Sequence, residues 1–368
     1  MFVLAHNSAR AFGGGEIGTV LLLAGLQRRG HRVRMLFRDE QNAARGAAYG
    51  IPTGVQRVGG DAMLPDALRL AARLRRERPD AVLLTSFKKV MLAGLGARMA
   101  GAPFVVQRIV LQGDTPDRGW RYRIALRRLV DRVVLNAGAM RPAFLTGDRN
   151  LDPAKVVTIV DGVRAPVRGR EPGAVRRELG IPADAPVVGS VARMASQKRF
   201  DRLLHALALL PQPVHCIIAG EGEAMEPTRE VAAQLGMADR VHLVGFRRDV
   251  GDVLDAFDVF VVSSDREGMA NAMLEAMAFG LPVVSTDVSG AREALDGVDA
   301  EPPAGIVTGF REDEVAGAIA GLLRDPEERR RLGVAARARA ERRFGEERFL
   351  DEWERLLADG VERGRGGG

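Results

Sequence analysis

Short apolar runs alternate with amphipathic stretches along the first half of the chain. Strands of a parallel sheet read as short buried runs, whereas helices place apolar residues every three to four positions. These patterns predict strands at 1–5, 31–37, 81–84, 104–106 and 132–135, separated by helices at 16–29, 66–77, 90–99 and 119–129. Strands that alternate with helices in this way predict a parallel sheet with right-handed crossovers.

The alternation restarts after 164–186, a stretch with several prolines, glycines and charges that we interpret as a linker between two domains. The second half predicts strands at 187–191, 214–219, 241–244, 259–262 and 282–284, with mostly helical sequence from 312 onward. We therefore expect two α/β domains, at 1–165 and 166–345, followed by a helix at 346–362 and a disordered tail at 363–368. Two such open sheets place a ligand at the carboxyl ends of their strands, between the domains.

Length and charge agree with this organisation. A chain of 368 residues exceeds what one hydrophobic core usually fills. Residues 1–165 carry 27 Lys and Arg against 13 Asp and Glu, so their net charge is +14, while the remainder carries −8. The first half is therefore expected to meet an anionic surface, substrate or polymer, although solvated helices also carry arginine without such a role.

Targeting features indicate a cytoplasmic protein. No basic segment followed by an apolar stretch is visible at the start of the sequence, so no signal peptide is expected. No window approaches the ~20 apolar residues of a membrane-spanning helix. The single cysteine, Cys216, lies in an apolar run and is interpreted as a core residue in a reducing compartment. We expect the protein in the cytoplasm, with the inner face of the membrane as a candidate docking surface.

A glycine-rich turn follows the first predicted strand and opens the first helix, with Gly13, Gly14 and Gly15 before Glu16. Glycine lets the backbone approach a ligand closely, and a helix N-terminus offers unpaired N–H groups. The spacing is not Gly-x-Gly-x-x-Gly, and no acidic residue ends the second strand, so a nicotinamide cofactor is disfavoured. Relief of crowding in a tight turn would explain the glycines equally well.

Two cations flank a turn in the second half. Arg193 comes just after a predicted strand and Lys198 just before a predicted helix. Two cations at such a turn can reach one diphosphate, the arginine as a fork and the lysine as a point charge. The alternative is a surface loop of solvated cations.

Two carboxylates come later in the second half. Glu267 lies in the loop after a strand, and Glu275 lies inside the following apolar helix. A carboxylate among small apolar residues needs partners, and sugar hydroxyls would serve. The N–H groups near Met269, Ala270 and Asn271 can hold a phosphate.

These residues carry a family resemblance. Glu267 and Glu275 in Glu-x7-Glu spacing, with Arg193 and Lys198 upstream, resemble the C-terminal domain of retaining glycosyltransferases of the GT-B fold, notably family 4. The resemblance is strong over about 187–295 and looser before it. It implies an α/β protein of two Rossmann-like domains with a cleft between them, and a C-terminal helix that returns to the first domain.

The resemblance also implies roles for individual residues. Arg193, Lys198 and Glu267 would be catalytic, the two cations at the leaving diphosphate and Glu267 at the donor sugar. Donor binding would fall to Gly14, Gly15, Gly220, Phe246, Arg247, Gly268, Met269, Ala270, Asn271 and Glu275. Within this set Glu275 would meet the ribose, and the segment at Phe246 and Arg247 would border the base. The co-substrate would be a nucleotide sugar, UDP- or GDP-linked. Because no convincing Asp-x-Asp ends a strand, we expect neither a cofactor nor a metal ion.

The acceptor side departs from the family. Many relatives carry a histidine near the strand ends around 84 and 106, and none is present here. We expect His6, Lys88, Lys89 and Arg108, which lie at predicted strand ends, to contact the acceptor. That acceptor would be a glycan, lipid-linked or a small molecule, with envelope polysaccharide among the candidates.

Alternatives remain for the reaction and for the basic first half. A non-catalytic nucleotide-sugar-binding protein of the same fold and a nucleotide-sugar epimerase are the alternatives to a transferase. Nucleic-acid binding is ranked last, because the basic half lacks interleaved aromatic residues and a recognition motif. The segment 118–128 combines arginines with Trp120 and Tyr122, which is typical of a helix at an anionic membrane surface, although Ile124 and Leu126 could instead pack on the sheet.

Overall fold

The computed structural model describes residues 1–10, 12–58, 64–297 and 301–366. The chain divides into two compact units. Unit 1 consists of Met1–Asp161 with Glu347–Gly368, and unit 2 of Gly162–Glu346. Within the described ranges, no helix combines the length and the apolar content needed to cross a bilayer.

Unit 1 is built on a parallel sheet. Its strands are β1 (Phe2–His6), β2 (Arg32–Phe37), β3 (Thr53–Val55), β4 (Ala81–Leu84), β5 (Phe104–Ile109), β6 (Arg132–Leu135) and β7 (Val156–Thr158). They lie in the order β3-β2-β1-β4-β5-β6-β7. Its helices before residue 162 are α1 (Gly14–Arg28), α2 (Glu40–Ala47), α3 (Leu64–Glu77), α4 (Val90–Met99), α5 (Trp120–Ile124) and α6 (Arg141–Thr146). Strands β1, β4 and β5 are buried along their whole length, as expected for a parallel sheet covered on both faces.

Unit 2 repeats this plan with a second parallel sheet. Its strands are β8 (Val187–Val191), β9 (His215–Ala219), β10 (Val241–Leu243), β11 (Val259–Val262), β12 (Val283–Thr286) and β13 (Ile306–Thr308), in the order β10-β9-β8-β11-β12-β13. Its helices are α7 (Ala174–Glu178), α8 (Phe200–Ala208), α9 (Met225–Gln234), α10 (Val250–Asp255), α11 (Asn271–Phe279), α12 (Ala291–Leu295), α13 (Glu312–Arg324) and α14 (Pro326–Arg343). Cys216 lies in the core of this unit, and burial raises the pKa of its thiol to about 12.

The last helix, α15 (Glu346–Gly366), packs in unit 1 although the chain reaches it from unit 2. Its buried Trp353 and Leu357 share one core with Leu22 and Leu26 of α1. The resemblance predicts this return of the C-terminal helix, and the structure confirms it together with the two parallel-sheet α/β domains.

The disordered tail predicted at 363–368 is wrong for 363–366, which continue α15; residues 367–368 lie outside the described part of the chain. Glycines let this end of the helix approach β5 closely. A Cβ atom on Gly364 would lie 2.1 Å from the carbonyl oxygen of Pro103, and one on Gly360 would lie 2.3 Å from the Phe104 ring. Arg365 adds an ion pair with Asp80. Tertiary contacts therefore order a segment whose composition is typical of disorder.

The stretch 164–186, predicted as a linker, is instead part of unit 2 and contains α7. Carboxylates of α10 bind it in place. The Asp252 carboxylate accepts a hydrogen bond from the Gly169 N–H at 2.8 Å, and Asp255 accepts one from the Gly173 N–H at 2.8 Å. Composition cannot show this, because the partners are about eighty residues away in the sequence.

The other differences concern short elements. Strands β3, β7 and β13, of three residues each, were not predicted; β10 has the same length but was recognised within the predicted strand 241–244. The helix predicted at 119–129 is α-helical to Ile124 and then continues as a π-helical turn, Ala125–Leu129. The Lys155 ammonium donates hydrogen bonds to the carbonyls of Arg127 and Val130 at 2.8 and 2.9 Å and so binds the end of this wide turn.

The close contact between α15 and β5 leads to a first prediction. Gly360→Ala places a methyl group against the Phe104 ring, and we expect it to lower the free energy of unfolding by roughly 1–3 kcal/mol. Gly317→Ala is the matched control, because it lies mid-helix in α13 with open space at its Cβ position. The control should raise stability by up to about 1 kcal/mol, since alanine favours helix more than glycine does. Urea denaturation measures both; equal effects of the two substitutions would contradict the proposed packing.

Candidate functional site

The order of strands in unit 2 places its candidate residues at one edge of the sheet. After β8 the chain adds β9 and β10 on one side, and later adds β11 to β13 on the other side. The loops after β8 and β11 therefore separate at a switch point, where open α/β sheets bind ligands. Arg193 and Lys198 lie in the first of these loops and Glu267 lies in the second.

An ion pair joins the two loops across the switch point. The Lys198 ammonium contacts the Glu267 carboxylate, which also accepts a hydrogen bond from Ser264 Oγ at 2.8 Å. Glu267 is buried, and only 19% of the Lys198 side chain is exposed. Ser263 Oγ donates to the Lys198 carbonyl at 2.8 Å. The structure thus brings together a cation and a carboxylate that the sequence separates by 69 positions.

A second network supports the Lys198 loop, and sequence reasoning did not identify it. Arg199 adopts a left-handed backbone conformation with φ of 51°, which is unfavourable for a residue other than glycine. Its guanidinium lies 2.9 Å from the Asp201 carboxylate and 3.1 Å from that of Asp265. Asp265 also pairs with the buried Arg202 at 2.7 Å, and its N–H donates to the Gln197 carbonyl at 2.8 Å. We infer that Arg199, Asp265 and Arg202 are positioning residues for Lys198.

Arg193 is the more exposed of the two predicted cations. Its side chain is 32% exposed, and its nearest carboxylate partner is Glu223 at 3.6 Å. The loop after β9 packs directly beneath it. A Cβ atom on Gly220 would lie 1.8 Å from the Ala192 carbonyl oxygen, so this position requires glycine for close approach of two backbones. The structure thus gives Gly220 a structural role next to the predicted donor site.

The loop from Gly268 to Asn271 leads into α11. Met269 and Ala270 are buried, and the Gly268 carbonyl accepts a hydrogen bond from the Gly290 N–H at 2.9 Å. The Ala270 carbonyl accepts the N–H groups of Met273 and Leu274, which closes the first turn of α11. The start of this helix therefore lies at the switch point, where its positive dipole end favours an anion.

Glu275 lies in the second turn of α11, among buried apolar residues. Burial raises the pKa of its carboxyl group to about 7. Within the described residues no hydrogen bond or ion pair reaches this carboxylate, whereas Glu267 has two partners. Glu275 is thus a partly exposed and desolvated acceptor that a ligand hydroxyl could satisfy.

Phe246 and Arg247, in the segment after β10, differ in exposure and in contacts. The Phe246 side chain is 52% exposed. The Arg247 guanidinium, predicted to border a base, is instead held by Glu178 at 2.6 Å and Asp249 at 2.7 Å. Hydrogen bonds from Arg247 and Arg170 lower the pKa of Glu178 to about 2. Arg247 therefore binds α7 to the start of α10, whereas the Phe246 ring remains exposed.

The glycine turn of unit 1 lies at the switch point of its own sheet, between β1 and β4. The Glu16 carboxylate accepts hydrogen bonds from the Gly13 N–H at 3.0 Å and from Asn7 Nδ2 at 3.1 Å. A Cβ atom on Gly15 would lie 2.9 Å from Val110, whereas one on Gly14 would meet open space. Gly15 is therefore needed for packing, and Gly14 leaves an accessible backbone at this edge.

Two residues predicted to contact an acceptor are buried in unit 1. His6 is 1% exposed, its Nε2 lies 3.1 Å from the Gln56 carbonyl, and burial lowers its pKa to about 4. Arg108 is 2% exposed and pairs with Asp161 at 2.6 Å. The expectation of acceptor contact is therefore wrong for both, because their polar groups point into the unit. Lys88 is exposed and Lys89 half-buried, in the turn after β4.

Among the described residues no group of three or more His, Cys, Asp or Glu side chains is arranged to hold a metal ion.

Comparisons with known protein families cover both units. Residues 173–339 match the family described as glycosyl transferases group 1, and residues 13–162 match the glycosyl transferase 4-like domain. The chain is 32% identical over 295 residues to the lipopolysaccharide core biosynthesis glycosyltransferase LpsE of Rhizobium meliloti, covering 79% of each chain. It is 33% identical over 284 residues to a D-inositol 3-phosphate glycosyltransferase of Kineococcus radiotolerans, covering 69% of this chain and 64% of the relative.

Solved structures share the fold. The structure of Anabaena HepE in complex with UDP-glucose superposes with a TM-score of 0.84 at 22% identity, covering 98% of this chain and 100% of HepE. WaaG, a glycosyltransferase involved in lipopolysaccharide biosynthesis, superposes with a TM-score of 0.71 at 17% identity, covering 93% of this chain and 96% of WaaG. At these identities the likeness concerns the fold alone.

The raised pKa of Glu275 leads to a second prediction. A carboxyl group that titrates near 7 in the folded protein and near 4.5 when unfolded binds more protons in the folded state. Stability is therefore lost as the pH rises between these values. Glu275→Gln has no group that ionises at this position. The free energy of unfolding of the variant, minus that of the wild type, should therefore be larger at about pH 8 than at about pH 5, by on the order of 2 kcal/mol.

Denaturation by urea at both pH values measures this difference. Glu230→Gln, at an exposed position on α9, is the control and should follow the wild type at both. A constant offset between Glu275→Gln and the wild type across this range would contradict the assignment.

Proposed function

The chain belongs to the group 1 glycosyl transferases, and on that premise we propose that it moves a sugar from a nucleoside diphosphate sugar to an acceptor with retention of the anomeric configuration. One observation carries the proposal for the donor. The Lys198–Glu267 pair spans the switch point of unit 2 beside the start of α11. That arrangement supplies a cation, helix N–H groups and a sugar-binding carboxylate at one place.

Each part of the donor has a proposed partner at this edge of the sheet, beginning with the diphosphate. In the proposal Lys198 and Arg193 bind the diphosphate, and the first turn of α11 adds its N–H groups. Glu267 accepts hydrogen bonds from the sugar hydroxyls and Glu275 accepts those of the ribose. The exposed ring of Phe246 is placed to stack on the base. The proposed donor is UDP- or GDP-linked; complexes of Anabaena HepE, which has this fold, contain UDP or UDP-glucose, and this supports the UDP-linked form.

The chemistry in this proposal is electrostatic. The bond between the anomeric carbon and the diphosphate oxygen breaks while negative charge grows on the diphosphate. Lys198 and Arg193 are already in place to stabilise that charge, so little reorganisation is needed. The acceptor oxygen bonds to the same face of the sugar, and its proton passes to the departing phosphate oxygen. The protein cations do the work of a metal ion in this scheme, and metal independence is part of the proposal.

The acceptor is proposed only as a class. Relatives are named for lipopolysaccharide core biosynthesis, for D-inositol 3-phosphate and for 2-deoxystreptamine. Those names support a glycan, lipid-linked or small-molecule hydroxyl, with envelope polysaccharide biosynthesis in the cytoplasm as the setting. Lys88 and Lys89 remain the candidate acceptor contacts, since they lie at the carboxyl edge of the unit 1 sheet.

A third prediction concerns the two cations. Arg193→Ala should weaken binding of UDP or GDP at least roughly tenfold and reduce sugar transfer on the order of a hundredfold, because the guanidinium acts on developing charge. Its single long contact with Glu223 means that the variant should fold normally. Lys198→Ala should show the larger loss, although it also leaves the buried Glu267 carboxylate without its cation.

Calorimetric titration with UDP and GDP, each with magnesium and with a chelator, measures binding. The control is Arg229→Ala, an exposed arginine on α9. If neither nucleotide binds the wild type, or if Arg193→Ala and Lys198→Ala bind like the control, the donor assignment is wrong. Binding that requires magnesium would contradict metal independence alone.

A fourth prediction follows from Glu275. If ribose hydroxyls donate to its carboxylate, binding favours the ionised form and lowers its pKa from about 7. Nucleotide binding near neutral pH should therefore release part of a proton. The observed binding enthalpy should then depend more strongly on the ionisation enthalpy of the buffer for the wild type than for Glu275→Gln. Equal buffer dependence in both proteins would remove Glu275 from the ribose site.

A further inference from the structure

Helix α5 and the π-helical turn that follows it present a cationic and apolar surface in unit 1. Trp120 is 65% exposed and Ile124 is 43% exposed. Arg121, Arg123 and Arg128 are also exposed. We call these five residues the basic aromatic face. An exposed tryptophan and an exposed isoleucine thus lie beside three exposed arginines on one short segment.

The other side of the same segment is fixed to unit 1. The Tyr122 ring stacks on Phe87, with centroids 4.7 Å apart. Ala125 and Leu126 are completely buried. Arg127 forms an ion pair with Asp148 of the same unit, so we do not include it in the basic aromatic face. The segment therefore already has its packing partners, and its outward side chains are not held in the core.

The charge around the basic aromatic face indicates which kind of partner binds there. Residues 1–165 carry 27 Lys and Arg against 13 Asp and Glu. Two acidic residues lie just before α5, and one of them, Asp114, pairs with Arg118 at 3.3 Å, while Asp117 is exposed. Trp120 with Ile124 suits the interface between headgroups and acyl chains, and the arginines suit lipid phosphates. A nucleic acid would match the arginines and would leave the isoleucine without a partner.

We propose that the basic aromatic face rests on an anionic lipid bilayer. Trp120 and Ile124 enter the headgroup region, and Arg121, Arg123 and Arg128 contact lipid phosphates. Helix α5 follows the loop at the carboxyl end of β5, so docking brings the membrane to the sheet edge that carries Lys88. Such docking favours a lipid-linked molecule as the acceptor. This consequence rests on the proposed function, whereas the docking itself does not depend on it.

The chain contains a built-in reporter for this contact. It has two tryptophans, and the other one, Trp353, is completely buried. In Trp353→Phe all tryptophan emission comes from Trp120, so insertion into a bilayer should shift its emission maximum to the blue. We expect this shift with vesicles containing phosphatidylglycerol at low salt and not with pure phosphatidylcholine. Sedimentation of the wild type with the same vesicles gives a second readout that needs no core substitution.

Charge reversal then assigns the surface. Arg121→Glu with Arg123→Glu should weaken vesicle binding on the order of tenfold or more. Arg45→Glu with Arg76→Glu is the matched control, because it makes the same charge change at exposed positions of unit 1. The control pair should bind nearly like the wild type. Trp120→Ala should weaken binding while leaving the charge unchanged.

Several outcomes would overturn the proposal. One is that the wild type does not sediment with anionic vesicles; another is that both double variants lose binding equally. Binding to a DNA duplex but not to vesicles, lost in Arg121→Glu with Arg123→Glu, would assign the face to nucleic acid instead. UDP binding should be unchanged in these variants, so a failed donor assignment and a failed membrane assignment give different results.

Discussion

The candidate site depends on the ion pair between Lys198 and Glu267. Each charge is largely withdrawn from water, and a buried charge without a partner destabilises a fold by roughly 3–5 kcal/mol. The pair therefore holds together two loops that leave the sheet in opposite directions. It also keeps a cation at the switch point before any ligand arrives. Removing either member would disturb the geometry as well as the chemistry.

That arrangement explains why the neighbouring network is so rich in arginine. Arg199 adopts an unfavourable backbone conformation, and its ion pairs with Asp201 and Asp265 offset the strain. Arg202 reaches the same Asp265 from α8. The loop that carries Lys198 is thus fixed by charged contacts at its end, and Ser263 fixes its carbonyl. Preorganisation of this kind is what an electrostatic catalyst requires.

The alternation of strands and helices was sufficient to predict two parallel-sheet domains, since most of the longer strands are buried and largely apolar. The same sequence was not sufficient to distinguish Lys198 from Arg108. Both are cations near the carboxyl end of a strand, but Arg108 meets Asp161, which lies 53 positions away, and points inward. Burial and long-range partners decide such cases, and neither is visible in spacing. For the same reason, the ends of α15 and the inclusion of α7 in unit 2 required the structure.

The path of the chain has a consequence for synthesis. Unit 2 is inserted into unit 1, because Trp353, Leu357 and Val361 complete the core that begins with Val3 and Leu22. When residues 1–161 have left the ribosome, every strand of the first sheet has been made, but α15, which covers this core, has not. Unit 2 has all of its residues earlier, once the chain reaches Glu346. The second unit along the chain is thus the first that can finish folding, and the apolar face of unit 1 stays uncovered until helix α15 has been made.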